Sequence, residues 1–456
     1  MSIIIDFKKS IMSKIHKVSS MKIILLGYCV IILLGAALLT LPAAIKEGST
    51  SFLDALFTST SATCVTGLIR FDTFTHWTLL GQIIILFLIQ IGGIGYMTVA
   101  ITFVSLTKKK IGLTSRVILQ DSIASPQVGG VVRMTKFIVA GSFIIEATGA
   151  ILLALYFCPI MGFAEGIYYS IFHSVSSFCN AGFDLMGKFE PFSSLTAFSD
   201  NWYVCSVVMV LAVLGGLGFF VLYDILSQKF KFSKFKLHTK LVIVVSAILI
   251  VLGTVLILIF ESKNPAFNER PLHERILCAL FHSVALRTVG FNTIDVYDMT
   301  QSSQGFMLFF MLVGGSTGST AGGMKTTTFA ILIMSVVTTF RRKKSIEIFG
   351  RRIEDETVRT SCCIFVMYIV ISFTAGILIC EFEGLPFINC MFESVSAVGT
   401  TGITLHLTPS LSIPSEIVIM FLMLFGRVGS ITMLLAFASE KSTVPSKFPT
   451  EKIQIG

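Results

Sequence analysis

The hydrophobic positions of the chain form long uninterrupted runs, and the runs come in pairs. A membrane-spanning helix needs about 20 apolar residues, whereas barrel strands are short and alternate between apolar and polar residues. Because lipid offers no hydrogen bonds to the backbone, long runs must be helical, and the pattern predicts an all-α integral membrane protein. Eight runs have this length, at residues 23–43, 77–105, 137–158, 202–223, 241–260, 306–340, 361–380 and 415–437.

A shorter, half-polar segment lies between the two runs of each pair. Its length of about a dozen residues suits a re-entrant helix rather than a spanning one. The segments are SFLDALFTSTSA, GIYYSIFHSVSSF, ERILCALFHSVAL and LPFINCMFESVSAV. Each leads directly into a tetrapeptide that contains glycine, at residues 65–68, 180–183, 288–291 and 400–403.

The spacing within these segments repeats along the chain. Thr58, His173 and Glu393 each stand nine residues before the glycine of their tetrapeptide. His282 stands eight residues before its own, and a serine follows all four of these residues. The second run of each pair also carries glycines, in GGIGY, GGLGF, GGSTGSTAGGMKTTT and GRVGS. Such internal repetition predicts four copies of one unit: helix, re-entrant pore helix, extended filter segment, helix.

The predicted boundaries follow from this repetition. Repeats 1 to 4 cover residues 23–110, 111–223, 224–340 and 341–437, and the end segments 1–22 and 438–456 are predicted to be cytoplasmic. No small-residue cleavage site follows the first run, so we expect it to be a retained helix rather than a signal peptide.

Basic residues define the expected orientation. Of the 35 Lys and Arg residues, 26 lie in the end segments and in the loops between repeats, and 6 lie on the opposite side. Positive charge favours the cytoplasm, so both termini are predicted inside and the re-entrant segments enter from outside. The same basic loops are also suited to lipid headgroups or an acidic cytosolic partner. The remaining three, Arg287, Lys325 and Arg427, fall within or beside the predicted pore.

Composition excludes several classes of protein. With 54% hydrophobic and 13% charged residues, a chain of this length cannot bury its apolar surface in a soluble core. The ten cysteines include no CxxC pair, so neither a disulfide framework nor a zinc site is indicated. The glycine-rich stretch 314–328 is not a nucleotide-binding P-loop, because Met324 separates Gly323 from Lys325.

Four extended segments around one axis predict a cation filter. Backbone carbonyls replace the hydration shell of a cation when such segments line a narrow pore, and glycine permits the backbone angles that this requires. Pore helices ending at the filter would direct their negative carboxyl ends toward the cation. The candidate filter residues are Val65, Thr66, Gly67, Asn180, Ala181, Gly182, Thr288, Val289, Gly290, Thr400, Thr401 and Gly402.

Three ionisable residues in the runs and pore segments have open roles. For His173 and His282, a hydrogen bond to a neighbouring helix is favoured over ion coordination, because Thr58 and Glu393 occupy the same place elsewhere. Glu146 lies inside the third run, where a carboxylate is costly and is a functional candidate by default. A structural bond between helices explains Glu146 equally well.

A resemblance to the Ktr/Trk/HKT superfamily of potassium transporters is carried by five stretches. They are FHSVSSFCNAGF, FHSVALRTVGFNT, FESVSAVGTTGI, GGSTGSTAGGMKTTT and the Gly-Arg-Val-Gly of the last run. The resemblance covers essentially the whole chain. With eight spans and no additional amino-terminal helical hairpin, the chain is most similar to the membrane subunit (KtrB type) of bacterial Ktr systems. Glycine at all four filter positions agrees with that branch, since some plant sodium transporters carry a serine in the first filter.

This resemblance implies a function and partners. The implied protein is the potassium-selective, sodium-dependent translocating subunit of a bacterial uptake system, located in the cell membrane. It would form a homodimer and be gated by a cytosolic ring of nucleotide-binding regulatory subunits (KtrA type). The nucleotide belongs to that ring, and this chain has no cofactor, only transported potassium at the filter carbonyls and possible sodium. Membrane lipids are expected partners, and nucleic acid is not.

The resemblance also implies that residues 314–326 form a gate below the filter. Gly, Ser and Thr keep irregular backbone mobile and solvated at membrane depth, although a helix broken only for packing is the alternative. Lys325 either repels cations there or anchors the half-helix that follows the loop to solvent or lipid headgroups. Arg427 either faces the gate or forms a structural ion pair. The gate residues are Gly314, Gly315, Ser316, Thr317, Gly318, Ser319, Thr320, Ala321, Gly322, Gly323, Lys325 and Arg427.

Two other functions compete with a regulated potassium pore. A Trk-like transporter coupled to protons or sodium, with weaker potassium selectivity, fits the same scaffold. A nucleotide-driven enzyme is disfavoured, because the sequence has neither a Walker motif nor a soluble domain.

Overall fold

The computed structural model describes residues 20–106, 112–123, 129–430 and 432–433 and confirms the all-α class. The predicted cytoplasmic segments therefore lie outside the described residues, apart from residues 20–22. One departure from helix is a small antiparallel hairpin at the start of repeat 4, in which Glu347–Ile348 pairs with Arg351–Arg352. Three short α-helices lie outside the fourfold pattern described below, at Thr73–His76, Leu113–Ser122 and Pro265–Asn268.

The first helix of each repeat is long enough to cross a membrane. At 1.5 Å per residue, 20 residues already extend about 30 Å, the thickness of the hydrocarbon core. Many large apolar side chains of these helices are exposed, as lipid contact requires. The four first helices are Ser20–Leu39, Val131–Met161, Leu237–Phe260 and Asp355–Glu383.

The pore helices are shorter, as predicted from the half-polar segments. They have between 13 and 17 residues, which is too short to span the bilayer. They are Phe52–Cys64, Phe163–Cys179, Leu272–Ala285 and Phe387–Gly399. Ser51 caps the start of pore helix 1, because its hydroxyl accepts a hydrogen bond from the Asp54 amide and so satisfies a free donor of the first turn.

A serine that recurs at the same place in all four pore helices joins each of them to the first helix of its own repeat. In all four repeats its hydroxyl donates to a backbone carbonyl at mid-helix. These bonds run from Ser59 to Ile32 O at 2.7 Å, from Ser174 to Glu146 O at 2.6 Å, from Ser283 to Ile250 O at 2.7 Å and from Ser394 to Ser372 O at 2.8 Å. Four equivalent contacts confirm that the sequence repetition is a structural repeat.

The second helices are broken, which corrects the continuous spans predicted at 77–105 and 202–223. Leu79–Ile94 and Tyr96–Leu106 are separated at Gly95, and this helix pair bends by 92°. Trp202–Leu217 and Phe219–Ser227 are separated at Gly218 and bend by 94°. The cause is positive φ at both glycines, 89° and 92°, which interrupts helical hydrogen bonding.

Repeats 3 and 4 break at the corresponding places. In repeat 3, Gln301–Met311 and Thr326–Phe340 flank the predicted loop, and in repeat 4, Ile413–Val428 ends at Gly429, where φ is 91°. Glycines just before the breaks let the second helices approach the ends of the pore helices. Side chains there would clash with carbonyls, that of Gly92 with Thr63 O, that of Gly215 with Phe178 O and that of Gly426 with Val398 O.

Candidate ion pathway

The four predicted filter segments share one backbone conformation. A residue with left-handed φ follows each pore helix, and the filter glycine two residues later also has positive φ. The left-handed residues are Val65 (56°), Asn180 (60°), Thr288 (65°) and Thr400 (52°), and the glycines are Gly67 (93°), Gly182 (69°), Gly290 (85°) and Gly402 (83°). Because a Cβ disfavours such angles, the backbone is strained at the first of these positions, and glycine avoids that strain at the second.

The filter glycines form a closed ring. A Cβ built on any of them would meet the filter backbone of the next repeat, in the order 1, 2, 3, 4 and back to 1. That Cβ would lie 2.5 Å from Ala181 O for Gly67, 2.7 Å from Gly290 Cα for Gly182 and 2.9 Å from Thr401 O for Gly290, and would clash with Thr66 O for Gly402. The structure thus brings together residues that the sequence places more than 300 positions apart.

A cavity of about 480 Å³ lies on one side of this ring, and all four filter glycines line it. Its lining carries more acidic than basic side chains, which favours cations electrostatically. The acidic residues are Asp184, Glu190, Glu261, Asp295 and Asp298, and the other ionisable residues are Arg270 and His406. We call this space the outer cavity.

A second cavity of about 320 Å³ is lined by the 314–326 loop, including Ser319, Ala321 and Lys325, and by Arg427. The loop lies between this inner cavity and the filter ring. Thr320 Oγ1 is 3.1 Å from Phe178 O near the end of pore helix 2, and a Cβ on Gly323 would lie 2.8 Å from Gly399 O at the end of pore helix 4.

The loop fills the breaks of the second helices. A broken helix leaves backbone groups without partners, and at membrane depth these must be satisfied by protein or by water in a cavity. Loop residues supply the partners in repeats 2 and 4. The bonds run from Ser316 N to Gly216 O at 2.9 Å, from Thr320 N to Gly215 O at 3.2 Å, from Phe219 N to Gly318 O at 2.9 Å and from Gly323 N to Gly426 O at 3.2 Å.

The two cationic candidates bind carbonyls of the loop. Arg427 donates to Thr320 O, and also to the carbonyls of Gly92 and Gly93 at the break of repeat 1. Lys325 Nζ donates to Ala321 O at 2.8 Å, within its own loop. Neither contact is an ion pair, and both residues line the inner cavity. The roles of Lys325 and Arg427 at the gate stay predictions.

Buried hydroxyls around the ring lack partners. Within the part of the chain that the structure describes, Thr66, Thr288, Thr400 and Thr401 have hydroxyl oxygens that are buried and make no hydrogen bond. An unsatisfied buried polar group costs about 1–3 kcal/mol, and such groups are usually paired. Their concentration in the filter segments fits a pathway in which water or a cation supplies the missing partner.

Comparison with known proteins identifies the family. The profile described as "TrkH: Cation transport protein" matches residues 30–444. The chain belongs to the TrkH family. It is therefore a multi-pass membrane protein of cation transport and not an enzyme.

Two relatives of this TrkH-family chain are similar over nearly their whole length. The potassium/sodium uptake protein NtpJ of Enterococcus hirae is 39% identical over 447 residues, covering 96% of this chain and 98% of the relative. The Ktr system potassium uptake protein B of Bacillus subtilis is 35% identical over 437 residues, covering 95% and 96%. The potassium transporter TrkH from Vibrio parahaemolyticus shares the fold, with a TM-score of 0.71, 18% identity and coverage of 92% of this chain and 84% of that one.

The histidines of this TrkH-family chain contact a different partner from the one predicted. Each accepts a hydrogen bond at Nε2 from the chain just beyond its own filter, not from a neighbouring helix. The Leu185 amide donates to His173 at 3.3 Å, and the Ile294 amide donates to His282 at 3.2 Å. Glu393 accepts equivalent bonds from Thr404 and Thr408. The residue at this shared position therefore joins its pore helix to the chain segment that follows the filter.

Glu146 lies beside the end of pore helix 2, with its carboxylate 3.9 Å from Cys179 Sγ. Both of its carboxylate oxygens accept from Gln90 Nε2, at 3.0 and 2.9 Å, which joins the first helix of repeat 2 to the second helix of repeat 1. The surrounding cavity is lined by apolar residues such as Phe87 and Phe143, both lipid-facing. This is the bond between helices that the sequence left as one of two explanations.

Sequence reasoning missed an ion-pair cluster beside filter 1. Arg70 was counted only as a charge on the outer side. Its Nε lies 2.7 Å from Asp54 Oδ1 in pore helix 1, and its guanidinium pairs with Glu416 near the start of the second helix of repeat 4. Arg70 also donates to Leu411 O at 3.2 Å, so it joins repeats 1 and 4. The one sequence signal was the carboxylate of Glu416 at the start of an apolar run.

We expect Arg427→Gln to raise cation flux through this TrkH-family protein. Glutamine is shorter and neutral, so it loses the charge-assisted bonds that hold the loop to the break of repeat 1. The measurement is flux into vesicles containing purified protein, with Arg427→Lys, which keeps the charge, as the control. Unchanged flux in a folded Arg427→Gln variant would show that these bonds do not restrain the loop.

Proposed function

We propose that this chain is the potassium-selective translocating subunit of a bacterial potassium uptake system. Val65 to Gly67, Asn180 to Gly182, Thr288 to Gly290 and Thr400 to Gly402 form the selectivity filter, and cations pass from the outer cavity through this ring toward the inner cavity. Backbone carbonyls of these residues replace water around dehydrated potassium. Gly314 to Gly323, Lys325 and Arg427 form the gate.

The observation that carries this proposal is the glycine ring itself. Four segments from one chain meet backbone to backbone, and at each meeting point a Cβ has no room. The same segments concentrate buried hydroxyls without partners. A ring of backbone oxygens with an acidic cavity on one side suits a monovalent cation, since field and ligands both favour positive charge.

The names of the relatives support the choice of ion. The Bacillus subtilis relative is named a Ktr system potassium uptake protein, and the Enterococcus hirae relative a potassium/sodium uptake protein. By analogy, sodium dependence of uptake is part of the proposal, as are a homodimer and a separate cytosolic ring that binds nucleotide and controls the gate. We place both termini in the cytoplasm, because the basic segments then follow the positive-inside rule.

The alternative function is a Trk-like cation transporter coupled to protons or sodium, with weaker potassium selectivity. One observation favours it, namely the potassium/sodium name of the relative that is 39% identical. Under this alternative sodium would cross the filter as a substrate rather than stimulate potassium uptake.

Growth of a potassium-uptake-deficient bacterial host tests the proposal. We expect the chain, expressed with its regulatory partner, to restore growth at low external potassium and to do so better when sodium is present. The matched control is a Gly290→Ser variant expressed at the same level. Failure of the parent chain to restore growth, or equal uptake of sodium and potassium, would overturn the proposed selectivity.

A further inference from the structure

Repeat 3 departs from the fourfold pattern just before its filter. Pore helices 1, 2 and 4 end immediately before the left-handed residue, at Cys64, Cys179 and Gly399. Pore helix 3 ends at Ala285, three residues before Thr288. The connecting residues are Leu286 and Arg287, so that an arginine directly precedes a filter segment in this repeat alone.

Arg287 is buried and has no carboxylate partner. It is 8% exposed, and among the residues that the structure describes no Asp or Glu lies within ion-pair distance. One guanidinium nitrogen, Nη2, donates to Ser246 Oγ at 3.0 Å and to Thr326 Oγ1 at 3.1 Å, while Nε has no partner. A guanidinium remains charged when buried, so its few polar contacts are energetically important.

Thr326 connects this arginine to the other end of the loop. Its hydroxyl donates to Gly314 O at 2.8 Å, and its amide donates to Gly315 O at 3.0 Å. Thr326 follows Lys325 at the end of the loop and is the first residue of the helix Thr326–Phe340. One hydroxyl thus closes the loop on itself by donating to Gly314 O and also accepts a hydrogen bond from Arg287.

We propose that Arg287 is a positioning residue that couples the docked state of the 314–326 loop to the geometry of the third filter segment. While the loop is docked, the Thr326 hydroxyl binds the guanidinium and so fixes the position of Arg287. Because Arg287 directly precedes Thr288, this contact also fixes the start of the third filter segment. When the loop leaves, the buried charge loses one of its two acceptors and Arg287 must move, which displaces Thr288 to Gly290. This inference rests on the proposed gating role of the loop.

Such coupling is reciprocal, because any preference of the filter for one position of Arg287 is also a preference for one position of the loop. Removing either Arg287 or Thr326 should therefore affect both selectivity and loop docking. The two residues should not act independently, because each substitution breaks the same bond.

Thr326→Val, Arg287→Gln and the double variant test this prediction. Loop docking is read from the rate at which a thiol reagent modifies Ser319→Cys, which lines the inner cavity, after the exposed Cys362 and Cys363 are replaced by serine. Selectivity is read from the ratio of potassium to sodium flux. We expect each single variant to raise the modification rate and lower the flux ratio by about tenfold, and the double variant to equal Arg287→Gln alone.

Ser246→Ala is the matched control, since it removes the other acceptor of Arg287 but keeps the bond between Arg287 and Thr326 that connects to the loop. It should leave the modification rate at the parent value. Additive effects, an unchanged flux ratio in both single variants, or a Ser246→Ala variant that loosens the loop equally would each overturn the coupling. If Arg287→Gln fails to fold, Arg287→Lys with Thr326→Val provides the same comparison. If instead shortening the loop leaves flux unchanged, the gating role itself fails, independently of Arg287.

Discussion

Serine in place of Gly402 is expected to reduce the discrimination of potassium from sodium by about tenfold or more, a loss of about 1.4 kcal/mol. Two effects combine at this position. The backbone has φ of 83°, which disfavours any residue with a Cβ, and the Cβ itself would clash with Thr66 O of the neighbouring filter segment. Widening the ring to relieve that clash would alter the spacing of the carbonyls that, in the proposed filter, select the ion. The measurement is the ratio of potassium to sodium flux in purified vesicles.

A matched control separates the ring from backbone strain. Gly384 also has positive φ, 65°, yet a Cβ there would meet no atom within 4 Å. Gly384→Ser should therefore cost stability while leaving the flux ratio unchanged. Serine at Gly67, Gly182 and Gly290 should act in the same direction as at Gly402, because each also meets the next filter segment. Parent selectivity in all four filter variants would exclude this ring as the filter.

Shortening the 314–326 loop is expected to raise potassium flux severalfold and to make it less dependent on the cytosolic partner. Deleting residues 317–321 removes Thr320, which bonds to Gly215 and to Arg427, but retains the pairing of Gly314 N with Met324 O at 2.8 Å. The loop then no longer reaches across the inner cavity. Selectivity should survive, because the filter ring is formed by other residues.

Five glycines in place of residues 317–321 provide the length-matched control for this deletion. They keep the length and the backbone groups of the loop but lose its side chains, including the Thr320 hydroxyl, so flux should rise less than in the shortened variant. Flux is measured with and without the regulatory partner. A shortened variant that folds and dimerises, yet conducts no better than the parent without the partner, would exclude the loop as the main barrier.

Much of the fold was predictable because the repeat is expressed in polar residues. Ser59, Ser174, Ser283 and Ser394 follow the varied residues Thr58, His173, His282 and Glu393, and all four serines bond to the first helix of their repeat. The spacing of His282 from its glycine, one residue shorter than in the other repeats, accompanies the early end of pore helix 3 at Ala285. The lengths of the apolar runs and the positions of the glycines were sufficient to locate the four segments whose glycines meet in the ring.

The bends of the second helices were not predictable in the same way. A glycine within an apolar run is compatible with a straight helix, and only the φ of 89° at Gly95 and 92° at Gly218 distinguishes a break. Long-range charge contacts were also hidden. Arg70 and Glu416 lie near opposite ends of the chain, and nothing local to either residue indicates the other. Such contacts depend on how repeats 1 and 4 meet around the ring.

Ion flux into vesicles that contain only the purified chain tests the central claim most directly. Potassium, rubidium and sodium are compared under one gradient, with the Gly402→Ser variant in parallel. The proposed filter predicts that potassium and rubidium permeate and that sodium permeates far less, because a ring of carbonyls replaces the hydration shell of the larger, more weakly hydrated ions more readily. Equal permeation of sodium and potassium by the parent chain would contradict the account.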